Sequence, residues 1–191
     1  EEAGAAAIPL KTLLDITNEL PETRVSISVD EKNRAAIITD FGQYDLMTKP
    51  SDEFPAVPNT QEAKKFEIPA ELFKSVIDAS SFAVSRDELK PALTGVLCKF
   101  NEQGLTAVAT DGHRLVKYSR NDFSTDGYSG DIIVPRKFLT FLSTQLSSGN
   151  TELLIGENHL TARVKNDMVL TRVIDERFPD YESVIPKDNN K

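Results

Sequence analysis

The sequence contains 191 residues, of which 39% are hydrophobic and 27% are charged, a composition typical of a globular protein with enough chain to bury a sizeable core. The 30 Asp and Glu residues outnumber the 22 Lys and Arg residues, and the net charge of -8 excludes a protein that coats nucleic acid by bulk electrostatic attraction. The single cysteine, Cys98, excludes an internal disulfide and a cysteine-rich metal site, so we expect a small apolar core residue in a cytoplasmic protein. No apolar run approaches the roughly 18 residues that a membrane span needs, and we expect no membrane partner.

Three segments of the chain share one pattern, in which a short strand-like stretch ends in proline and apolar residues then recur at steps of three and four. The prolines are Pro9, Pro69 and Pro135. This spacing predicts an amphipathic helix with proline in its first turn. Three runs with alternating apolar residues follow each helix and are separated by turn residues, which predicts three strands. Each segment therefore predicts a strand, a helix and three further strands.

The predicted strands follow the three helices in chain order. They lie at 25–29, 35–39 and 44–48 after the first helix, at 96–100, 105–110 and 115–118 after the second, and at 153–155, 160–164 and 168–173 after the third. A unit of one helix and four antiparallel strands has one apolar sheet face to cover, and two units can place their helices side by side over a continuous layer. We therefore predict an α+β fold with antiparallel sheets on one side and helices on the other, an arrangement that suits a scaffold better than a catalytic cleft.

The spacing of the repeats predicts the domain organisation. The pair Phe54-Pro55 recurs 124 residues later as Phe178-Pro179, and Pro9 and Pro135 are 126 residues apart. Two segments would then form one domain, with the second half of one domain at 1–60 and a complete domain at 61–187. Since the sequence begins at Glu1 rather than Met, we expect a cut or processed chain. The alternative is an ordinary α+β protein without true repetition.

Sequence signatures of enzymes are mostly absent. The chain has no glycine-rich phosphate loop, no Cys-x-x-Cys pair and no His-Glu-x-x-His motif, and its two histidines, His113 and His159, fall in different segments. We predict no catalytic residues, no metal site and no cofactor. Asp111-Gly112 lies between two alternating runs and predicts a two-residue hairpin in which Gly112 has positive φ. His113 and Arg114 are then either solvated strand residues or the rim of a binding surface, and a hydrolase that uses Asp111 with His113 is a further alternative.

The stretch after the last predicted strand offers apolar side chains around a rigid proline. Phe178 is either a core residue beneath a loop or part of a groove in which Pro179, Val184 and Ile185 form a wall for an apolar peptide. The predicted helices carry few cations. These cations are Lys11, Lys74, Arg136 and Lys137. They are either ordinary solvated residues or, if the helical surface faces DNA, residues that contact phosphates without reading the sequence.

Three stretches identify a resemblance. Ala109-Thr-Asp-Gly-His-Arg-Leu115, Ile133-Val-Pro-Arg-Lys137 and Arg177-Phe-Pro-Asp-Tyr181, in this order and spacing, resemble the bacterial DNA polymerase III beta subunit, the sliding clamp family. The resemblance implies the DNA-clamp fold, in which three domains of two repeats each place their helices on the inner face of a ring and their sheets outside. It further implies that the first half of domain one and all of domain three are missing, and that 188–191 begin the linker to domain three.

The function that the resemblance implies is that of a processivity factor, not an enzyme. A head-to-tail homodimer of the full-length chain would encircle duplex DNA without regard to sequence. The replicative polymerase and the clamp loader would insert a short apolar peptide into a pocket between domains two and three. Another repeat-built protein-binding module remains the alternative.

By position, the resemblance implies two groups of site residues. The wall of the peptide pocket would comprise Leu93, Thr110, Gly112, His113, Arg114, Leu115, Pro179 and Val184. The ring interface would include Ile16, Tyr44 and Leu46. Two departures from the family pattern are expected to matter. Ser183 stands where an Arg is common, and the loop from Asp87 to Ala92 lacks the aromatic residues that some members use against DNA.

Overall fold

The computed structural model describes residues 4–56 and 62–186. The chain divides into two compact units, unit 1 (Glu1–Val57) and unit 2 (Pro58–Lys191). The linker predicted at 188–191 lies outside the described residues. The longest helix in the described ranges has 11 residues, and none is long and apolar enough to cross a membrane.

Unit 1 contains one copy of the repeated pattern and little core. Its elements are β1 (Ala6–Ala7), α1 (Leu10–Glu19), β2 (Ser26–Val29), β3 (Arg34–Thr39), β4 (Gly42–Met47) and β5 (Lys49–Pro50). Strands β2, β3 and β4 form an antiparallel sheet in that order, while β1 pairs only with β5. Among the described residues of unit 1, the buried hydrophobic side chains are Ala35 and Ile37, and no residue of α1 is buried. The apolar side chains of α1 are half-buried, as at Leu13 and Ile16, or exposed, as at Leu10 and Leu14.

Unit 2 contains two copies of the pattern. The first comprises β6 (Lys64–Pro69), α2 (Ala70–Ser80), β7 (Gly95–Asn101), β8 (Gly104–Thr110) and β9 (Leu115–Arg120). The second comprises β10 (Gly130–Pro135), α3 (Arg136–Gln145), β11 (Asn150–Ile155), β12 (His159–Val164) and β13 (Asp167–Arg172). The predicted α+β class and the repeated order of strand, helix and three strands are confirmed.

The two copies exchange their first strands. One sheet has the order β10-β7-β8-β9 and the other has the order β13-β12-β11-β6, and all pairs are antiparallel. The expectation that each copy of the pattern forms its own four-stranded sheet is therefore wrong. A strand joined to the next strand of the same sheet through one helix would run parallel to it. The exchange instead gives each first strand an antiparallel neighbour from the other copy.

Helices α2 and α3 lie side by side over both sheets, as predicted. The Nζ of Lys74 donates to the carbonyl oxygen of Ser143 at 2.9 Å, and the Oγ of Ser143 donates to Asp78 at 2.9 Å. The main core between helices and sheets includes Phe66, Ile68, Phe73, Val76, Ile77, Val96, Phe100, Leu105, Leu139, Leu142, Leu153 and Leu160. Cys98 lies in the same core, where burial raises the pKa of its thiol to about 12.

The three prolines stand immediately before the helices rather than in their first turns. Pro69 ends β6 and Pro135 ends β10, and both have extended backbone with φ of -56° and -57°. The predicted position of the prolines is thus wrong by one residue. The fixed φ of proline suits both the end of a strand and the entry to a helix, so the same residue closes one element and starts the next.

The outer face of the β10-β7-β8-β9 sheet is covered by the chain that follows β13. We call residues 174–185 the strap. A second apolar cluster joins Leu97, Val108 and Ile133 of the sheet to Tyr181 of the strap, with Phe178 and other partly buried side chains packed around them. The backbone N–H of Ile174 donates to the carbonyl oxygen of Ile133 at 2.9 Å. Phe178 therefore contributes to a small core beneath the strap.

Candidate functional site

A cavity of about 530 Å³ opens on the surface of unit 2 beside the strap. We call it the strap groove. Its lining includes all eight residues that the resemblance placed in the peptide pocket, together with Asp180 and Tyr181. Leu93 comes from the 3-10 turn Pro91–Thr94, Thr110 ends β8, Leu115 begins β9, and the strap supplies Pro179 and Val184. Segments distant in sequence thus converge on one groove.

The loop between β8 and β9 has four residues, 111–114, so the predicted two-residue hairpin is wrong. The carboxylate of Asp111 explains the difference, because its Oδ1 accepts the backbone N–H groups of His113 and Arg114 at 3.0 Å each. The Oγ1 of Thr110 closes the turn by donating to the carbonyl oxygen of Arg114 at 2.8 Å. Gly112 has a φ of +91°, as predicted. His113 and Arg114 are therefore exposed loop residues at the rim of the groove.

Both oxygens of the Asp111 carboxylate are engaged in shaping this loop. The hydrogen bonds from the backbone of His113 and Arg114, with the nearby guanidinium of Arg114, hold the pKa of Asp111 below its ordinary value. The second oxygen, Oδ2, accepts from Nε of Arg114 at 2.9 Å. Asp111 is thus arranged to fix the turn rather than to orient the imidazole of His113 as a base.

Arg114 has a second partner that the sequence did not predict. Its Nη2 donates to the carbonyl oxygen of Phe82 at 3.1 Å, and its guanidinium carbon lies 5.7 Å from the centre of the Phe82 ring. Phe82 follows α2 and its side chain is 52% exposed. A cation over an aromatic ring and a hydrogen bond to the same residue fix the guanidinium from two directions. The available signal in the sequence was an aromatic residue shortly after the second predicted helix.

The strap is held against the sheet by Tyr181. This side chain is buried, and the Nζ atoms of Lys99 and Lys117 lie 5.8 Å and 5.6 Å from the centre of its ring. The ring also meets Phe178 edge-on at 6.3 Å. Ser183 is exposed, and its Oγ donates to the carbonyl oxygen of Asp180 at 2.8 Å. Ser183 therefore closes a turn within the strap and is not among the residues that line the groove.

The groove offers apolar walls with polar groups at one end. Leu93, Leu115, Pro179 and Val184 supply aliphatic surface, and the side chain of Val184 is 67% exposed. Such a surface accepts apolar side chains from a partner, while the loop containing His113 offers hydrogen-bonding groups. Within residues 4–56 and 62–186, no three His, Cys, Asp or Glu side chains cluster so as to hold a metal ion.

The cations predicted to face DNA lie on the three helices. Lys11 lies on α1 of unit 1, while Lys74, Arg136 and Lys137 lie on α2 and α3 of unit 2. Seven other cations form ion pairs in the described parts of the chain: Lys49, Lys65, Lys99, Arg114, Lys117, Arg120 and Arg163. None of the four predicted cations has an ionic partner among the described residues. Lys74 differs from the other three because its ammonium is already bound to the backbone of α3.

The residues predicted for a ring interface all lie in unit 1. Ile16 is a half-buried residue of α1, and Tyr44 and Leu46 are half-buried residues of β4. Tyr44 and Leu46 pair with Ile37 and Ala35 of β3, so these four side chains share one face of the sheet.

Two family models match the chain in succession. The model of the DNA polymerase III beta subunit N-terminal domain matches residues 1–58, and the model of the central domain matches residues 67–180. The beta sliding clamp of Escherichia coli (strain K12) is 32% identical over 193 residues, a match that covers 100% of this chain and 52% of the relative. The beta sliding clamp of Bacillus subtilis is 31% identical, with 99% and 50% covered. The chain therefore spans about half the length of the curated relatives that it matches.

Solved structures give the same result for the fold. The DNA polymerase sliding clamp of Bacillus subtilis superimposes with a TM-score of 0.85 at 31% identity, covering 98% of this chain and 50% of that one. A Pseudomonas aeruginosa sliding clamp bound to griselimycin superimposes with a TM-score of 0.82 at 30% identity, covering 97% and 51%. The predicted clamp fold is confirmed. Since the central-domain model alone matches more than half of the residues, the chain belongs to the DNA polymerase III beta subunit family.

Proposed function

We propose that this chain is part of a DNA sliding clamp, a processivity factor that encircles duplex DNA and tethers a polymerase rather than catalysing a reaction. The observation that carries the proposal is the strap groove, in which eight residues from three separate stretches line one cavity. Membership of the beta subunit family supports it. A protein that acts on chromosomal DNA would be located in the bacterial cytoplasm.

The proposed domain organisation is the second half of domain one at 1–60, a complete domain two at 61–187, and the start of the linker to domain three at 188–191. Two features of the described residues support it. Unit 2 completes its sheets by exchanging first strands between two copies of the pattern. Unit 1 has one copy, and its first strand, β1, joins no larger sheet. A half-domain that lacks its partner copy would have this arrangement.

In the full-length chain, two copies would join head to tail into a ring, with Ile16, Tyr44 and Leu46 near the interface. Lys11, Lys74, Arg136 and Lys137 would contact the phosphates of duplex DNA without reading its sequence. A ring that is topologically linked to DNA needs little intrinsic affinity, which is compatible with a net charge of -8.

The strap groove would receive a short apolar peptide from the replicative polymerase or the clamp loader. Leu115, Pro179 and Val184 offer aliphatic surface to its anchoring side chains. The backbone and side-chain contacts of the 111–114 loop hold the other end of the groove in shape before the peptide arrives. A preformed groove lowers the entropic cost of binding.

The test is a titration of the isotope-labelled chain with a short peptide bearing Leu and Phe anchors, up to millimolar concentration. We expect amide shifts at Leu93, at 112–115, and around Pro179 and Val184. The variant Val184→Ala should weaken binding, whereas Met168→Ala should not, since Met168 is an exposed apolar residue on β13 that does not line the groove.

Two results would contradict the proposal. Shifts spread over other surfaces of unit 2, with equal affinity for the two variants, would remove the groove as the peptide site. Reproducible hydrolysis of any substrate that is abolished by His113→Ala would favour an enzyme that uses His113 and Asp111.

A further inference from the structure

A second groove in unit 2 has a different chemical character. It has a volume of about 590 Å³ and lies between the segment that follows α2 and the length of α3. We call it the basic groove. Its charged and aromatic lining residues are Arg86, Glu88, Arg136, Lys137 and Phe141. No residue of this groove is shared with the strap groove.

The basic groove carries cations that form no ion pair with the described residues. Arg86, Arg136 and Lys137 supply three cations against the single carboxylate of Glu88. None of the three cations forms an ion pair with any residue in the described ranges, whereas seven cations elsewhere in those ranges do. In a protein with a net charge of -8, this local excess favours an anionic ligand.

Phe141 adds an aromatic surface to these cations. It lies on α3 one turn after Lys137, and its side chain is 52% exposed although Phe138 and Leu142 of the same helix are buried in the core. Helical spacing keeps Phe141 on the solvent side, so its ring is left open beside the cations. A cationic groove that exposes an aromatic ring is the arrangement by which proteins bind unpaired nucleic acid, with phosphates on the cations and a base on the ring.

We propose that the basic groove binds an unpaired stretch of a DNA strand, with a base stacked on Phe141 and phosphates near Arg86, Arg136 and Lys137. This proposal rests on the proposed clamp function and deepens its contact with DNA. Within duplex DNA both faces of each interior base are already stacked, so the duplex can use the cations but cannot offer an interior base to Phe141. The aromatic ring therefore distinguishes unpaired from paired DNA.

The experiment measures binding of the 191-residue chain to fluorescent oligo-dT and to a duplex of similar length, at low salt. The variant Phe141→Ala should lower the affinity for oligo-dT about tenfold, the loss expected for one stacked base, and should leave the affinity for the duplex unchanged. Phe41→Ala is the matched control, since Phe41 is another exposed phenylalanine, located in unit 1. Lys137→Gln should weaken binding of both nucleic acids and reduce the salt dependence.

Three outcomes would overturn the proposal: no binding of oligo-dT by the unchanged chain, equal affinities for Phe141→Ala and the unchanged chain, or an equal loss for oligo-dT and duplex. Displacement of oligo-dT by poly-glutamate with the same dependence on Phe141 would assign the groove to an acidic peptide instead. Titration of Phe141→Ala with the strap-groove peptide separates the two proposals. If only the basic groove has been misassigned, the peptide still causes the amide shifts expected at the strap groove.

Discussion

At the scale of single residues, Asp111 shapes the loop at the rim of the strap groove. One carboxylate oxygen accepts two backbone N–H groups and the other accepts the Nε of Arg114. The guanidinium of Arg114 in turn lies over the ring of Phe82. A single acidic side chain therefore sets the backbone of the 111–114 loop and the direction of the guanidinium at the groove.

The lowered pKa of Asp111 predicts how this loop responds to pH. Because the folded-state pKa lies below the ordinary value of 3.8, the stability contributed by the carboxylate is complete above 3.8 and is lost as the pH falls through the lower folded value. We expect the amides of His113 and Arg114 to report protonation of the Asp111 carboxylate only below 3.8, and not between pH 7 and about pH 4. NMR spectra across this range test the prediction. A transition that coincides with loss of the Arg114 contact well above pH 4 would instead show that the Asp111 carboxylate does not control the loop.

At the scale of elements, the strap forms one wall of the strap groove. It contributes Pro179 and Val184 to the lining while its Tyr181 is buried against the sheet. The 3-10 turn Glu182–Val184 follows directly and presents Val184 to solvent. The strap is thus held against the sheet by Tyr181, whose buried ring lies near the ammonium groups of Lys99 and Lys117.

Removal of the Tyr181 ring should loosen this wall. We expect Tyr181→Ala to lower the free energy of unfolding of unit 2 by about 3 kcal/mol, the scale for deleting a buried aromatic ring, and to weaken binding of the strap-groove peptide. Tyr181→Phe should cost less than about 1 kcal/mol, because the hydroxyl has one long contact, 3.4 Å to Glu182. Urea denaturation and the peptide titration measure the two effects. Unchanged peptide affinity in a folded Tyr181→Ala variant would show that the strap does not shape the groove.

At the scale of the whole molecule, the two units differ in how much apolar surface they bury. Unit 2 has a core in which two helices cover two four-stranded sheets. Unit 1 buries Ala35 and Ile37 among its described hydrophobic residues, and its helix has none buried. Because burial of apolar surface is the main stabilising contribution to folding, the units should differ in local stability.

Hydrogen exchange tests this difference on matched strands. Strand β3 is central in the sheet of unit 1 and β8 is an interior strand of unit 2. We expect protected amides of β8 to exchange at least about tenfold more slowly than those of β3, which corresponds to about 1.4 kcal/mol. Equal protection in the two strands would mean that the units unfold as one cooperative body.

The sequence predicted those features of the molecule that depend on neighbours along the chain. Apolar residues at helical spacing after Pro69 and Pro135 predicted α2 and α3, and alternation after each helix predicted β7, β8, β11 and β12. The local sequence did not predict the length of the loop at Asp111, since a two-residue turn and a four-residue turn can both begin with Asp-Gly. The Asp111 carboxylate accepts hydrogen bonds from the backbone N–H groups two and three positions later, and these bonds decided between the two turns.

The order of helices and strands, their repetition and, through three short stretches, the family could all be read from local sequence patterns. The exchange of first strands between the two copies in unit 2 could not, because antiparallel pairing depends on contacts between residues far apart in the chain. The contacts of Arg114 with the Phe82 ring and of Lys99 and Lys117 with the Tyr181 ring also join residues far apart in the chain, so local patterns did not predict them. Periodicity indicates which face of an element is apolar, but the side chains that meet across that face are set by long-range packing.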